Sequence, residues 1–404
     1  MMQQDKQLKD VAEIKSGFAF KSLDFAKEGI PIVRISNITN GEEVLILEKN
    51  QPYYNKEIDN KIKNSILKKE DILIALSGAT TGKIGIYRQD IPALLNQRIA
   101  LIRSKDEKSN KYIYYFLQTK SQQILKEAYG GAQPNISPKT LEKYYIFYPA
   151  EDIRNKIVSA IETQFTRLDA AVKNLKAVKQ KLELYRKAVL KKEFEKKEGW
   201  EEKILNDVCE KITDGTHFTP KYVKEGIKFI SVKDIRNDKI DFNNCKFISL
   251  EEHNQLIKRC HPEKGDILIT KSGTIGRTAI VETDEPFSLF VSVALIKPKK
   301  DKLNSKFAMY LLKNYIQGIN IDQVIKGAVV KNYHVIDIKN TKLSFPPSLS
   351  SQKAIVSSIE SKFSVIDKVE ETVNHALVKA ERLRKSILKS AFEGKLVKEG
   401  EEER

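Results

Sequence analysis

The segment Gly78-Ala79-Thr80-Thr81-Gly82-Lys83 falls one residue short of a phosphate-binding loop. Such a loop needs four residues between its glycines and then Gly-Lys with Ser or Thr, so that amides curl round the phosphates and a hydroxyl reaches magnesium. Here Ile84 follows Lys83, which argues against nucleotide binding. Asp214-Gly215-Thr216-His217 invites a base-catalysis reading, yet the related stretch Ser16-Gly17-Phe18-Ala19 has neither acid nor histidine. The five histidines form no helical pair around a Glu, and His261 beside Cys260 would need distant ligands to converge before it held a metal. No Asn-Pro-Pro-aromatic or Asp-Pro-Pro-aromatic segment is present; Phe345-Pro346-Pro347-Ser348 reads as a turn before a helix. Nor is there a paired acidic cluster with a lysine of the kind a nuclease uses. The expectation is a chain without catalytic or metal residues.

Other polar positions suit recognition instead. Arg donates two hydrogen bonds to guanine and Asn exchanges two with adenine, so Arg34 with Asn37, and Lys233 with Arg236 and Asn237, are candidate readers. Ser77, Thr80, Thr81 and Lys83 are answered by Lys271, Ser272, Thr274 and Arg277, short hydroxyls and a positive side chain that suit phosphates or base edges and equally an ordinary tight turn. Gln97 with Arg98, Gln133 with Asn135, Lys331 with Asn332, and Thr216 with His217 complete the candidates, each also readable as a solvated loop. Charge supports the recognition reading. Lys and Arg number 71 against 54 Asp and Glu, a formal +17 spread over aromatic-containing segments, which favours nucleic acid over a membrane surface. Cys209, Cys245 and Cys260 cannot pair completely and fit a reducing cytoplasm. Met1 to Asp10 has no apolar core, and no stretch approaches 18 uncharged apolar residues, so export and membrane spanning are disfavoured.

The elements that must position these residues occur twice. Leu8, Asp10 and Val11 recur as Leu205, Asp207 and Val208, and Asp71-Ile72-Leu73-Ile74 recurs as Asp266-Ile267-Leu268-Ile269. Ser77-Gly78 with Gly82 is answered by Ser272-Gly273 with Gly276. The ends match at a constant offset: Pro149, Ile157, Ile161 and Phe165 return as Pro347, Ile355, Ile359 and Phe363, and Arg186-Lys187, Leu190 and Phe194 as Arg384-Lys385, Leu388 and Phe392. The frame repeats while the segments between diverge, the pattern expected of two readers on a shared scaffold.

Within each copy, short apolar runs read as strands: Ile30 to Ile35, Ile72 to Leu76, Ile84 to Tyr87, Ile99 to Ile102 and Tyr145 to Tyr148, then Phe229 to Val232, Ile267 to Thr270, Thr278 to Val281 and Val293 to Ile296. Helices are expected from Ser109 to Ala128 and near Ser305 to Tyr315. A period of 3.5 then takes over through Ile161, Phe165, Leu168, Val172, Leu175, Val178, Leu182, Tyr185 and Val189, and again through Ile359, Phe363, Ile366, Val373, Ala380, Leu383, Ile387 and Ala391. Each is a helix of ~45 residues, ~68 Å long, that a partner must cover. Pairing the two stripes inside the chain is the economical cover. Asp152 and Ser350 are candidate caps, Gly199 and Gly394 candidate stops. The fold class is α/β: two mixed domains, 1–149 and 199–347, separated by long helices in 150–198 and 348–404 that pair as an antiparallel coiled coil, with pseudo-twofold symmetry suited to a bipartite duplex target.

This duplicated pattern resembles the specificity subunit of type I restriction-modification enzymes over nearly the whole chain. The most telling phrases are Gln352-Lys353-Ala354-Ile355-Val356 and Leu383-Arg384-Lys385-Ser386-Ile387-Leu388 running on to Ala391-Phe392-Glu393-Gly394-Lys395-Leu396. The first helix opening, Ala150-Glu151-Asp152-Ile153-Arg154-Asn155-Lys156, replaces the fuller Ser-Gln-Lys form of the second copy, so a less typical first dock is expected. The resemblance implies that each recognition domain reads half of an interrupted double-stranded DNA sequence, while the helices fix the gap and dock two methylating subunits. Two motor-nuclease subunits would join in the full complex. S-adenosylmethionine, ATP and magnesium would then be bound by those partners. The competing readings are a coiled-coil adaptor whose globular ends bind proteins, and a free-standing nucleic-acid-modifying enzyme.

Overall fold

The computed structural model describes residues 5–38, 44, 46, 50–78, 80–129, 134–318 and 333–396. The chain divides into two compact units: unit 1 is Met1–Leu175 with His375–Arg404, and unit 2 is Lys176–Asn374.

In unit 1 the principal strands are β1 (Ala12–Ser16), β2 (Ile30–Val33), β3 (Asp71–Ala75), β4 (Ile84–Tyr87), β5 (Ala93–Leu95) and β6 (Ile99–Ser104). An antiparallel sheet runs β1-β6-β3-β4, and a second sheet places β2 parallel to β5, Ile32 beside Leu94. β3 is buried throughout because the sheet is covered on both faces. Strand alternation sends Ile72 and Ile74 into the core shared with the helices, and Leu73 and Ala75 into the core beneath the second sheet. The fully buried Asp71 accepts from the Lys68 amide at 2.6 Å and pairs through both oxygens with Arg103, each bond 2.6 Å, which explains an acid at the head of an apolar run.

Unit 2 repeats this plan with β7 (Cys209–Asp214), β8 (Ile227–Ile230), β9 (Ile267–Thr270), β10 (Thr278–Ile280), β11 (Phe287–Leu289) and β12 (Val293–Pro298). Its antiparallel sheet runs β7-β12-β9-β10, and β8 lies parallel to β11. Asp266 again receives an amide, from Glu263 at 2.7 Å, and its ion pair is to Lys297 at 2.6 Å. The expected strands form, Ile84–Tyr87 and Ile267–Thr270 with the expected ends and the others with an end shifted by one or two residues. The edge strands β1 and β7 and the three-residue β5 and β11 were not expected. The single helix expected over Ser109 to Ala128 is two, α1 (Asn110–Thr119) and α2 (Ser121–Ala128), joined at Lys120 where the amide turns back to Leu117 O at 3.0 Å.

The long helices are α3 (Glu151–Glu193) and, after α4 (Ser305–Gly318), α5 (Leu349–Phe392). Both start one residue before the expected caps, so Asp152 and Ser350 lie in the first turn. Gly394, at φ +72°, closes α5, whereas α3 ends well before Gly199. No helix among the described residues is long and apolar enough to cross a membrane.

Each unit contains an antiparallel helix pair. In unit 2, Lys179 reaches Asn374 at 3.1 Å, Arg186 pairs with Asp367 and, at 3.0 Å, Glu370, and Glu193 pairs with Lys362, so rising numbers on α3 meet falling numbers on α5. In unit 1, Arg384 pairs with Asp169 and lies 4.1 Å from the Phe165 ring centre. The inward positions are Ile161, Phe165, Leu168, Val172, Leu175, Lys179, Leu182, Arg186, Val189 and Glu193 on α3. On α5 they are Ile359, Phe363, Ile366, Glu370, Val373, Leu377, Ala380, Arg384, Ile387 and Ala391. Both lists step four and three residues in strict alternation, the signature of a coiled-coil seam.

That regularity corrects three expected seam positions. Tyr185 is 54% exposed, Leu383 47% and Val178 38%, because the alternating step selects Arg186, Arg384 and Lys179 instead. The guanidinium groups of Arg186 and Arg384 cover the rings of Phe363 and Phe165, which allows a charged residue to hold a seam position.

Candidate nucleic-acid interface

In each unit the loops that carry the candidate readers leave the same end of the sheets. In unit 1 they follow β1, β2 and β3 and link β5 to β6. Backbone bonds stitch them together: Phe18 N to Leu95 O at 2.8 Å, Asn96 N to Val33 O at 3.0 Å, Leu76 N to Arg98 O at 2.9 Å and Ile136 N to Leu76 O at 2.9 Å. Ser77 bridges Asn135, bringing two separate expected loops side by side. In unit 2 the same stitches recur as Thr216 N to Leu289 O at 2.9 Å, Phe290 N to Ile230 O at 2.9 Å, Lys271 N to Ser292 O at 2.9 Å and Tyr333 N to Lys271 O at 2.7 Å. Gly17 and Gly215 are required by this crossing: a Cβ would lie 2.3 Å from Asn96 O in one unit and 2.0 Å from Leu289 O in the other.

On the unit 1 rim, Gln97, Arg98 and Asn135 are exposed, and Ser77, Thr80, Lys83 and Arg34 are half-buried. Arg34 donates to Asn50 O at 3.0 Å. The Thr80 hydroxyl is buried without a hydrogen-bond partner among the described residues. Two expected readers are structural. Asn37 is 2% exposed; its carbonyl holds the Arg34 amide at 2.8 Å and its amide group donates to Gln51 at 3.0 Å. Thr81 is 4% exposed and donates to Gly78 O at 2.6 Å, tying its own turn.

On the unit 2 rim, His217, Lys233, Arg236 and Thr274 are exposed, with Ser272 and Arg277 half-buried. Arg236 Nε folds back to Lys233 O at 2.9 Å, and Arg277 donates to Ile235 O at 3.3 Å. Thr216 and Lys271 are corrected to structural roles. Thr216 is buried, with its hydroxyl on Phe218 O at 3.3 Å. Lys271 is buried against Asp214, Nζ to Oδ2 3.1 Å, both side chains 5% exposed. Asp214 also receives Arg259 and lies 3.2 Å from His217, so one buried carboxylate gathers three basic side chains. Arg259 was not anticipated, since it lies outside every repeated phrase. Burial, followed by the Asp214 charge, pushes the nearby Cys260 thiol up to about 12, far from the thiolate form that binds metals. Gln133, Lys331 and Asn332 lie outside the described residues.

The departure at Arg154 also has its explanation. Arg154 is 7% exposed and donates to Ser109 at 2.9 Å, Asp106 at 2.8 Å and Pro149 O at 2.5 Å. At the matching place Gln352 is fully buried, donates to Lys302 O at 3.0 Å and Pro346 O at 3.1 Å, and accepts from the Asn304 amide at 2.8 Å. Both side chains fasten the start of a long helix to the loop before α1 or α4.

Comparisons with known proteins agree with this duplicated plan. The family described as "Type I restriction modification DNA specificity domain" matches residues 3–184 and again 197–377. The type I restriction enzyme EcoBI specificity subunit of Escherichia coli is 29% identical over 415 residues, covering 96% of this chain and 84% of the relative. The type I restriction enzyme MjaIX specificity subunit of Methanocaldococcus jannaschii is 25% identical, covering 86% and 84%. A solved structure reported under "Structural basis underlying complex assembly and conformational transition of the type I R-M system" shares the fold, with a TM-score of 0.73 at 16% identity over 97% of this chain and 98% of that one. With two matched DNA specificity domains in one chain, on the frame those domains share, the protein belongs to the specificity subunits of type I restriction-modification systems.

Proposed function

We propose that this chain reads a bipartite double-stranded DNA target in the cytoplasm, one half-site per unit, and positions two methylating and two motor-nuclease subunits without catalysing a reaction itself. S-adenosylmethionine, ATP and magnesium then act on the partner chains. The observation that carries the reading is the repeated stitching of divergent polar loops onto one end of a common frame. Phosphate contacts from Lys and Arg give affinity, and the loop tips give sequence choice.

Replacing residues 1–149 by those of a relative, and mapping methylated bases after assembly with the methylating subunit, should change one half-site and keep the other. A coordinated change in both would remove the assignment of independent readers. The helices would set the gap between half-sites. Four residues inserted after Lys179 add ~6 Å and ~40° of rotation, so the mapped gap should change with both half-sequences intact, or assembly should fail. An unchanged gap in an intact complex rejects that role.

A further inference from the structure

We infer that Phe218 is a specificity-determining residue of the half-site read by unit 2, where it packs on the C5-methyl group of a thymine in the major groove. The inference rests on the DNA-reading function proposed above.

An exposed aromatic ring on an open surface says little by itself. Phe218 is 59% exposed, but its turn is pinned. Gly215 lies against Leu289 O, and Thr216 is held on both sides, by Leu289 O at 2.9 Å and by the Val291 amide at 2.9 Å. The Thr216 hydroxyl then brackets Phe218, 3.3 Å from its amide and 3.3 Å from its carbonyl. Beneath the turn, Asp214 is fixed by Lys271 and Arg259. The ring thus projects from a braced stem, so little ordering remains to oppose contact with a ligand.

The surroundings narrow the ligand. His217, with a 61% exposed side chain, and Arg259, with a 54% exposed one, flank the turn, and among the described residues no acidic side chain other than the buried, paired Asp214 is hydrogen-bonded within this group. An apolar ring flanked by a guanidinium and an imidazole suits a surface that is anionic with apolar points. In the major groove the apolar point is the thymine methyl, which Phe is able to cover. Unit 1 supplies the contrast. Its matching residues are Ala19 and Phe20, and Phe20 is 7% exposed, turned inward to Phe18 at 4.9 Å and Tyr54 at 5.3 Å. The same turn therefore feeds a core in one unit and presents a ring in the other.

The test uses the full chain assembled with its methylating subunit. The recognised motif is obtained by mapping methylated bases, and the unit 2 half-site by the domain replacement described above. Fluorescence anisotropy then measures binding to duplexes in which each thymine of that half-site is replaced singly by deoxyuridine, which removes only the methyl. One replacement should weaken the unsubstituted complex about fourfold, the value of a buried methyl. Phe218→Ala should bind the thymine duplex about as weakly and be indifferent to that replacement, Phe218→Leu should recover part of the discrimination, and the other half-site should be read unchanged. A half-site without thymine, or a Phe218→Ala complex that keeps every thymine preference, overturns the inference while leaving bipartite reading intact. Absence of any sequence-specific motif instead removes the functional reading itself.

Discussion

Units 1 and 2 solve the same mechanical problem with different chemistry. Where unit 2 buries the Asp214–Lys271 ion pair at the root of its reading loops, unit 1 has Ser16 and a buried Leu76. Where unit 2 fastens its long helix with the neutral Gln352, unit 1 uses the charged Arg154. The difference teaches that the repeat specifies backbone atoms to be met, since the stitches among loops recur in both units while the side chains that support them do not.

The largest expected effect comes from the helix ends that close each core. Leu388 and Ile387 are buried in the unit 1 core, and Leu190 and Val189 in the unit 2 core. Leu388→Ala and Leu190→Ala should each cost ~2–5 kcal/mol. Proteolysis or hydrogen exchange should show unit 1 loosening in the first variant and unit 2 in the second. Loss of the same unit in both would break the equivalence.

Next is the buried pair. Lys271→Leu alone should destabilise unit 2 by about 3 kcal/mol, because Asp214 loses its buried partner. Combining it with Asp214→Ser imports the unit 1 arrangement, and denaturant unfolding should return to within ~1 kcal/mol of the original. A double variant no better than the single one would show that the two units are not interchangeable there.

The smallest effect concerns Lys83 and Arg277, which stand at matching ends of the loops after β3 and β9. Alanine at either should weaken DNA binding similarly across sequences and lower the salt slope by roughly one ion if the contact is to phosphate. Loss at a single base position, ~1–3 kcal/mol, would sharpen the assignment to a base contact. Unchanged binding by both folded variants would return these residues to the role of ordinary loop cations.

Much of the frame was legible in the sequence. β3 and β9 were visible because a run such as Asp71-Ile72-Leu73-Ile74 is apolar on both faces, and the long helices because their period never breaks. The strands β1 and β7 were not, since Glu13, Lys15, Glu210 and Lys211 interrupt the apolar signal of an edge that is covered on one side only. Apolarity points to Tyr185 and Leu383 in the seam, whereas the alternating step selects Arg186 and Arg384, which show no apolar signal at all. At the interface, residue type located the loops but not the direction of each side chain. Asn37, Thr81, Thr216 and Lys271 look like readers by composition, yet each is consumed by a backbone or charge that its own loop would otherwise leave unmet. Arg259 was silent because only the fold carries it to Asp214.

Unit 2 is one continuous stretch of chain, whereas unit 1 takes Ile387, Leu388, Ala391 and Phe392 from beyond unit 2 into the core around Tyr112 and Phe116. During synthesis this creates an inversion of order. The domain that leaves the ribosome first is completed last, waiting roughly 10–40 s at ~5–20 residues per second for the helix that closes it. Until then its aromatic seam faces water, and the interval before closure is when a nascent chain would be most open to chaperones, or to the same helix of a neighbouring chain.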